Sequence, residues 1–219
     1  MRIVVTDDPE ANAAAAIVRR LRAAVRERGS ASLAVSGGST APPMITEIVD
    51  ALRTHPDLAT GVTVWQVDER IAPDGDAARN AGQLADLPCV VRLMPVTSVD
   101  LRRAARRYAS SLPDRFDVVH LGIGDDGHTA SWPPDEPSIP LSDRMVEVSG
   151  LFNGVRRMTL TRDPVNLARA RVVLARGASK RPMVEGWLNG DPTLPISHVR
   201  HVGTTVFLDQ PAAPRASLR

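Results

Sequence analysis

Apolar and polar residues alternate along this chain in two rhythms. Short apolar runs edged by polar or glycine positions read as buried strands: Arg2–Thr6, Ser32–Val35, Val62–Val67, Val90–Leu93, Phe116–Leu121, Arg157–Thr161, Arg171–Ala175 and Thr204–Leu208. Segments of helical period lie between them. Asp8 followed by Pro9 marks a helix start, Ala11–Arg28 is rich in Ala, Leu and Arg, and Gly29 stops it. Pro42–Arg53 places Met44, Ile45, Ile48, Val49 and Leu52 at spacings of three and four, the stripe of a helix with one buried face. A polar helix is expected across Val99–Ser111, a short one at Asp163–Arg169 and another at Ser179–Asn189. Strands separated by helices imply a mostly parallel sheet with helices on both faces, a single three-layer α/β domain. It is expected to span 1–209, with 210–219 as a frayed tail. No internal repeat and no linker divides it.

Composition narrows the partners. Of 219 residues 43% are apolar, too many for a disordered chain. The balance of 27 Lys+Arg against 25 Asp+Glu leaves +2, so no strong field for nucleic acid or an anionic membrane is expected. No apolar run approaches the roughly 18 residues of a spanning helix, and the start MRIVVTDDPE has no apolar core of a signal peptide. One cysteine, Cys89, cannot form an internal disulfide and fits a reducing compartment, so a cytoplasmic protein is expected. Nothing in the pattern separates a monomer from a small homo-oligomer. One count bears on chemistry: all the basic residues are Arg except Lys180. A lone exception points to a place where a compact ammonium is wanted.

Ligands of such sheets sit beyond the carboxyl ends of the strands, and four post-strand segments stand out. Ser36-Gly37-Gly38-Ser39-Thr40 offers two glycines for close backbone approach, hydroxyl donors, and amides at a helix start, all suited to an anion. No lysine follows as in a Walker loop, and a plain capped turn also fits. Asp68-Glu69-Arg70 follows the third strand as a charged loop. Arg70 suits a phosphate or carboxylate and Asp68 an acid/base or orienting role, unless the three form only a local ion pair. Gly122-Ile123-Gly124-Asp125-Asp126-Gly127-His128 matches G-x-G-x-x-G, with Glu147 downstream, yet two aspartates would face a pyrophosphate and Pro133-Pro134 would cut the following helix. The loop instead offers a histidine beside carboxylates, a general base with its orienting partner, or else a polar cap. Gly177-Ala178-Ser179-Lys180 puts the only lysine at a helix start behind a strand. His198 and His201 lack a third metal ligand at good spacing, His120 lies inside a strand as a core residue, and Ser36, Ser39 and Ser131 are not set in G-x-S-x-G.

Taken in order, SGGST, VDERIAP with Asn80, LGIGDDGHTASWPP, RRMTLT, GASK and LPISHV with a closing FLD resemble the 6-phosphogluconolactonases and glucosamine-6-phosphate isomerases/deaminases over nearly the whole chain. Three positions depart from that pattern. Ala41 intervenes before Pro42, Trp132-Pro133 stands where Phe is common, and Arg79 replaces a Ser before Asn80. The deaminase branch resembles D-E-Y/H in the second loop and carries Glu five residues past the loop histidine; here those places hold Arg70 and Pro133, which favours the lactonase branch.

The resemblance implies a Rossmann-like fold, a sugar-phosphate ligand and hydrolysis of 6-phospho-D-glucono-1,5-lactone without a metal or organic cofactor. His128 would take the proton of water, and Asp126 or Asp68 would orient it. Amides of Gly124 or Gly127 would hold the oxyanion. Gly37, Gly38, Ser39, Thr40, Arg70 and Lys180 would hold the phosphate. An isomerase/deaminase and a non-catalytic sugar-phosphate sensor are the alternatives.

Overall fold

The computed structural model describes residues 1–215. Along them run β1 (Arg2–Val5), α1 (Pro9–Arg28), β2 (Ala31–Val35), α2 (Ala41–Thr54), α3 (Pro56–Gly61), β3 (Val62–Gln66), β4 (Asp68–Arg70), β5 (Val90–Arg92), α4 (Leu101–Ala109), β6 (Val118–Gly122), β7 (Val146–Phe152), β8 (Val155–Leu160), α5 (Arg162–Leu167), β9 (Ala170–Ala175), α6 (Arg181–Leu188) and β10 (Thr204–Leu208). The local chemistry explains the ends. Asp8 accepts the Ala11 amide at 3.0 Å, Pro9 opens α1, and Gly29 closes it at φ 76° with its amide on Val25 O.

Seven strands form one parallel sheet in the order β1-β10-β9-β6-β2-β3-β5. Parallel strands are buried on both sides, and the two faces of this sheet feed two cores. Leu33, Val35, Val64, Val172, Leu174 and Phe207 meet Ile17 and Leu21 of α1 and Met44, Ile48 and Leu52 of α2. The intervening residues Ala34, Trp65, Val119, Leu121, Val173 and Val206 face the other way, with Ala105 and Tyr108 of α4, Trp187 of α6, and Met158 and Leu160 of β8. That second layer differs from the expected all-helical cover. It includes a three-stranded antiparallel sheet, β4-β8-β7.

The antiparallel sheet accounts for most of what the apolar pattern misses. Asp68-Glu69-Arg70, expected as a loop, is a strand whose residues pair with Thr159, Met158 and Arg157. Its charges are tolerated because they are bonded: the fully buried Glu69 accepts from Gln66 Nε2 and from the amides of Arg70, Asn80 and Ala81, all within 2.8 Å. In β7, Gly150 and a register shift between Val148 and Leu151 mask the period-two signal. Within the expected tail 210–219, two described residues are held by the domain. Ala212 is fully buried, and the Arg215 amide donates to Glu185 Oε1 at 2.9 Å; residues 216–219 lie outside the described residues. Among the described residues no helix is long and apolar enough to cross a membrane.

The chain goes from β2 through β3 to β5 at one edge, then returns to β6 beside β2 and continues outward to β9. The switch point between β2 and β6 is where such a sheet opens a crevice at its carboxyl ends.

His120 of β6 is fully buried, and that burial pushes its pKa down from the ordinary imidazole value to about 4. The unfolded chain therefore takes up this proton first. The associated stability is present above pH ~6.5 and is lost as pH falls towards 4, by up to about 3 kcal/mol. His120→Leu should flatten the decline in unfolding free energy across that window, measured by urea denaturation at a series of pH values. Equal slopes in the two proteins would contradict it.

Candidate functional site

Strands β9, β6, β2 and β3 are consecutive neighbours in the parallel sheet, so the four segments that follow them emerge on one rim. They enclose a cavity of about 230 Å³. Gly37, Gly38, Ser39, Thr40, Asp68, Arg70, Gly124, His128 and Lys180 all line it, as do Asn80 and Arg157. Asp126 and Gly127 do not line it, and Asp126 contacts the histidine from outside the lining.

His128 is held on several sides. Its Nδ1 lies 2.5 Å from Asp126 Oδ1, and its own amide donates to the same oxygen at 3.0 Å. The Phe152 ring meets the imidazole edge to face, 5.0 Å between centroids. Gly124 makes this packing possible: a Cβ there would overlap His128 Nδ1 and press on Asp126 Oδ1. With Nδ1 given to a carboxylate, Nε2 is left as the basic nitrogen. Partial burial raises the Asp126 pKa, but the His128 amide and the imidazole outweigh it and hold this carboxyl below the ordinary value.

Of the two carboxylates expected beside the histidine, Asp126 is the one that contacts it. Asp68 does not bond to His128. It is buried, with Oδ1 accepting from Ser36 Oγ and Oδ2 from Ser131 Oγ, each at 2.7 Å. The expected oxyanion donors need correction too. The Gly124 amide donates to His128 O at 2.7 Å and the Gly127 amide to Gly124 O at 3.1 Å, so both are used inside the loop. No helix follows this loop, in line with the two prolines and against a dinucleotide fingerprint.

The remaining lining brings amides and cations to the same cavity. Gly38 adopts φ 113°, a conformation that favours glycine, just before α2 begins at Ala41. The amides of Gly37, Gly38 and Ser39 donate to no protein acceptor among the described residues. A Cβ on Gly37 would collide with the Asn80 side chain, whose Oδ1 is buried without a partner. Lys180 Nζ lies 2.7 Å from Asp125 Oδ1. Arg70 donates from Nη1 to Ala78 O at 2.7 Å, and its buried Nε has no partner.

Arg157 is the site residue that the apolar pattern did not single out. It is nearly buried, its Nε is unpartnered, and its guanidinium sits 4.7 Å from the centroid of the Phe152 ring. Burial lowers its pKa, while the nearby charges of Asp68 and Asp126 work the other way. Read as one more strand of the parallel sheet, Arg157–Thr161 gave no reason to look at this arginine. The antiparallel register that pairs Arg157 with Arg70 is what carries it to the rim.

His198 and His201 stay outside the cavity, and no cluster of three His, Cys, Asp or Glu suited to a metal occurs among the described residues.

Residues 6–207 match the family model described as glucosamine-6-phosphate isomerases/6-phosphogluconolactonase. A 6-phosphogluconolactonase of Mesorhizobium japonicum is 35% identical over 199 residues, covering 84% of this chain and 82% of that protein. One from Synechocystis sp. is 33% identical over 183 residues, covering 75% and 74%. Among solved structures, the 6-phosphogluconolactonase of Thermotoga maritima superposes with a TM-score of 0.83 over 95% of this chain and 98% of that one, at 22% identity, a likeness of fold. A match of this extent shows that the chain belongs to the glucosamine-6-phosphate isomerase/6-phosphogluconolactonase family.

Proposed function

We propose that the chain hydrolyses 6-phospho-D-glucono-1,5-lactone to 6-phosphogluconate, the lactone step of the oxidative pentose phosphate pathway, with His128 as general base. The observation that carries this reading is the 2.5 Å His128–Asp126 contact in a cavity whose walls also hold Lys180, Arg70 and Arg157. A base at one side and cations at another suit a substrate with an ester at one end and a phosphate at the other.

His128 Nε2 takes a proton from water as the oxygen attacks the lactone carbonyl carbon. The carbonyl electrons move onto oxygen, and the developing charge lies within reach of the Arg157 guanidinium, which shares Phe152 with the imidazole. Collapse of the tetrahedral intermediate breaks the bond to the ring oxygen, which leaves with the proton carried by His128. The carboxylic acid product then ionises in water. Asp126 fixes the ring orientation and stabilises the imidazolium between the two proton transfers. The Gly37–Ser39 amides, the Ser39 and Thr40 hydroxyls, Arg70 and Lys180 hold the phosphate and so fix the distance from carbonyl to base. Asp68 acts through Ser36 and Ser131, joining the phosphate loop to the histidine loop. Arg70 beside Asp68-Glu69 and Pro133 five residues past His128 leave incomplete the acid/base set that the amino-sugar isomerisation would need, so ammonia release from glucosamine 6-phosphate is not expected.

His128→Asn should lower kcat by about 10²–10⁴ with little change in KM, the size and pattern of a lost general base; near-normal turnover in a coupled dehydrogenase assay would remove His128 from that role. Gly124→Ala should also abolish most turnover while leaving the circular dichroism spectrum and the urea midpoint of the fold largely intact, because the added methyl displaces the imidazole. A fully active Gly124→Ala protein would show that the contact with Asp126 is dispensable. Lys180→Ala should raise KM for the phosphorylated lactone more than for glucono-1,5-lactone, and equal losses on the two substrates would take Lys180 out of the phosphate site.

A further inference from the structure

The lone ammonium of the cavity already has an anionic partner. Asp125 Oδ1 lies 2.7 Å from Lys180 Nζ, and the Lys180 contact together with the Ser179 hydroxyl holds the Asp125 carboxyl below its ordinary pKa. The two partners differ sharply in exposure: the Lys180 side chain is 17% exposed and that of Asp125 is 70% exposed. Asp125 thus reaches from solvent onto a cation that is itself recessed in the cavity wall. It directly precedes Asp126, so two adjacent carboxylates of one loop serve opposite partners, one the ammonium and the other the imidazole. Asp125 makes no side-chain hydrogen bond to the rest of the loop among the described residues, which separates it from the groups that shape the turn.

From this arrangement we infer that Asp125 is a built-in competitor of the substrate phosphate for Lys180, and that it sets how tightly phosphorylated ligands are held. The inference rests on Lys180 being a phosphate ligand. A dianionic phosphate approaching Nζ must either displace the carboxylate or sit beside it against like-charge repulsion. Displacement is cheap, because a mostly exposed carboxylate regains water when it swings out and exposed ion pairs are weak. Substrate and product carry the same phosphate, so the competition weakens both. The result is a site from which a multiply charged product departs more readily than from a bare cationic pocket. An effect shared by ground state and transition state appears in KM and in product inhibition, leaving kcat for other groups to determine.

Calorimetric titration with inorganic phosphate and with 6-phosphogluconate tests this without relying on turnover. Asp125→Asn and Asp125→Ala should each bind both ligands about fivefold more tightly than the unaltered protein, the scale of one exposed ion pair. In a Lys180→Ala background the same changes should gain nothing. Unchanged affinity in both Asp125 variants would overturn the inference while leaving the phosphate site in place. An equal gain with Lys180 absent would also overturn it, since the carboxylate would then be acting through the general field of the pocket. Should Lys180→Ala alone bind phosphate as well as the unaltered protein, the phosphate reading of Lys180 falls, and the inference with it.

Discussion

A buried carboxylate, Asp68, ties the segments around Ser36, Asn80 and Ser131 together at one site. It accepts from Ser36 at the end of β2 and from Ser131 past the histidine loop, and its backbone carbonyl accepts from Asn80 Nδ2 at 3.0 Å. Asn80 in turn sits where a side chain on Gly37 would be. Three segments far apart in sequence are thus fixed by one charge and the hydroxyls and amide around it. Losing that carboxylate would leave two buried hydroxyls seeking partners, at about 1–3 kcal/mol each. More damaging for function, the cavity walls would be free to separate, and orientation is lost well before the fold is.

The division of labour among the acidic residues follows from burial. Glu69, fully buried, is fully bonded and structural. Asp68, slightly nearer the cavity, is a clamp. Asp126, half-buried, belongs to the imidazole, and Asp125, mostly exposed, to the ammonium. Moving outward, the four bonds of Glu69 give way to two at Asp68 and two at Asp126, and exposure increases. The cations show the converse. Arg157 and Arg70 each keep an unpartnered Nε in the cavity wall, an arrangement with a desolvation cost that a hydrogen-bond acceptor entering the cavity would offset.

Much of this was legible in the sequence because local chemistry and global arrangement agree there. The parallel strands announced themselves as short apolar runs, Asp8-Pro9 and Gly29 marked both ends of α1, and Met44, Ile45, Ile48, Val49 and Leu52 all proved buried on α2. The rim was legible by one inference more: if the sheet is parallel, everything that follows a strand lies at the same edge. What stayed hidden depended on pairing partners. Asp68-Glu69-Arg70 reads as a loop until one knows that Glu69 has four donors waiting for it, and β7 reads as irregular until β8 is laid against it. Arg157 was missed for the same reason, since its position at the rim is a property of that antiparallel register. The oxyanion assignment to Gly124 and Gly127 failed because a glycine in a loop suggests a free amide, whereas here both amides close the turn on itself.

Gly124 shows why the histidine loop tolerates so little. The space of its missing side chain is filled by the His128 ring itself, so the imidazole is positioned by exclusion as well as by attraction. Asp126 alone could hold an imidazole in several orientations about a single hydrogen bond. With Gly124 beneath the ring and Phe152 at 5.0 Å across it, the contact to Asp126 selects one. The turn that brings Gly124 so close is closed by the very amides that cannot then serve an oxyanion. Precision at the imidazole is therefore obtained at the expense of donors in the same loop, and in the reaction proposed above the charge that develops on the carbonyl would be met from elsewhere. The β7–β8 hairpin is the element placed to do so, because it carries both Phe152, which abuts the base, and Arg157, which lies on the same ring. The small antiparallel sheet is thus more than cover for the second core: it brings Arg157 to the cavity lining and Phe152 against the His128 ring.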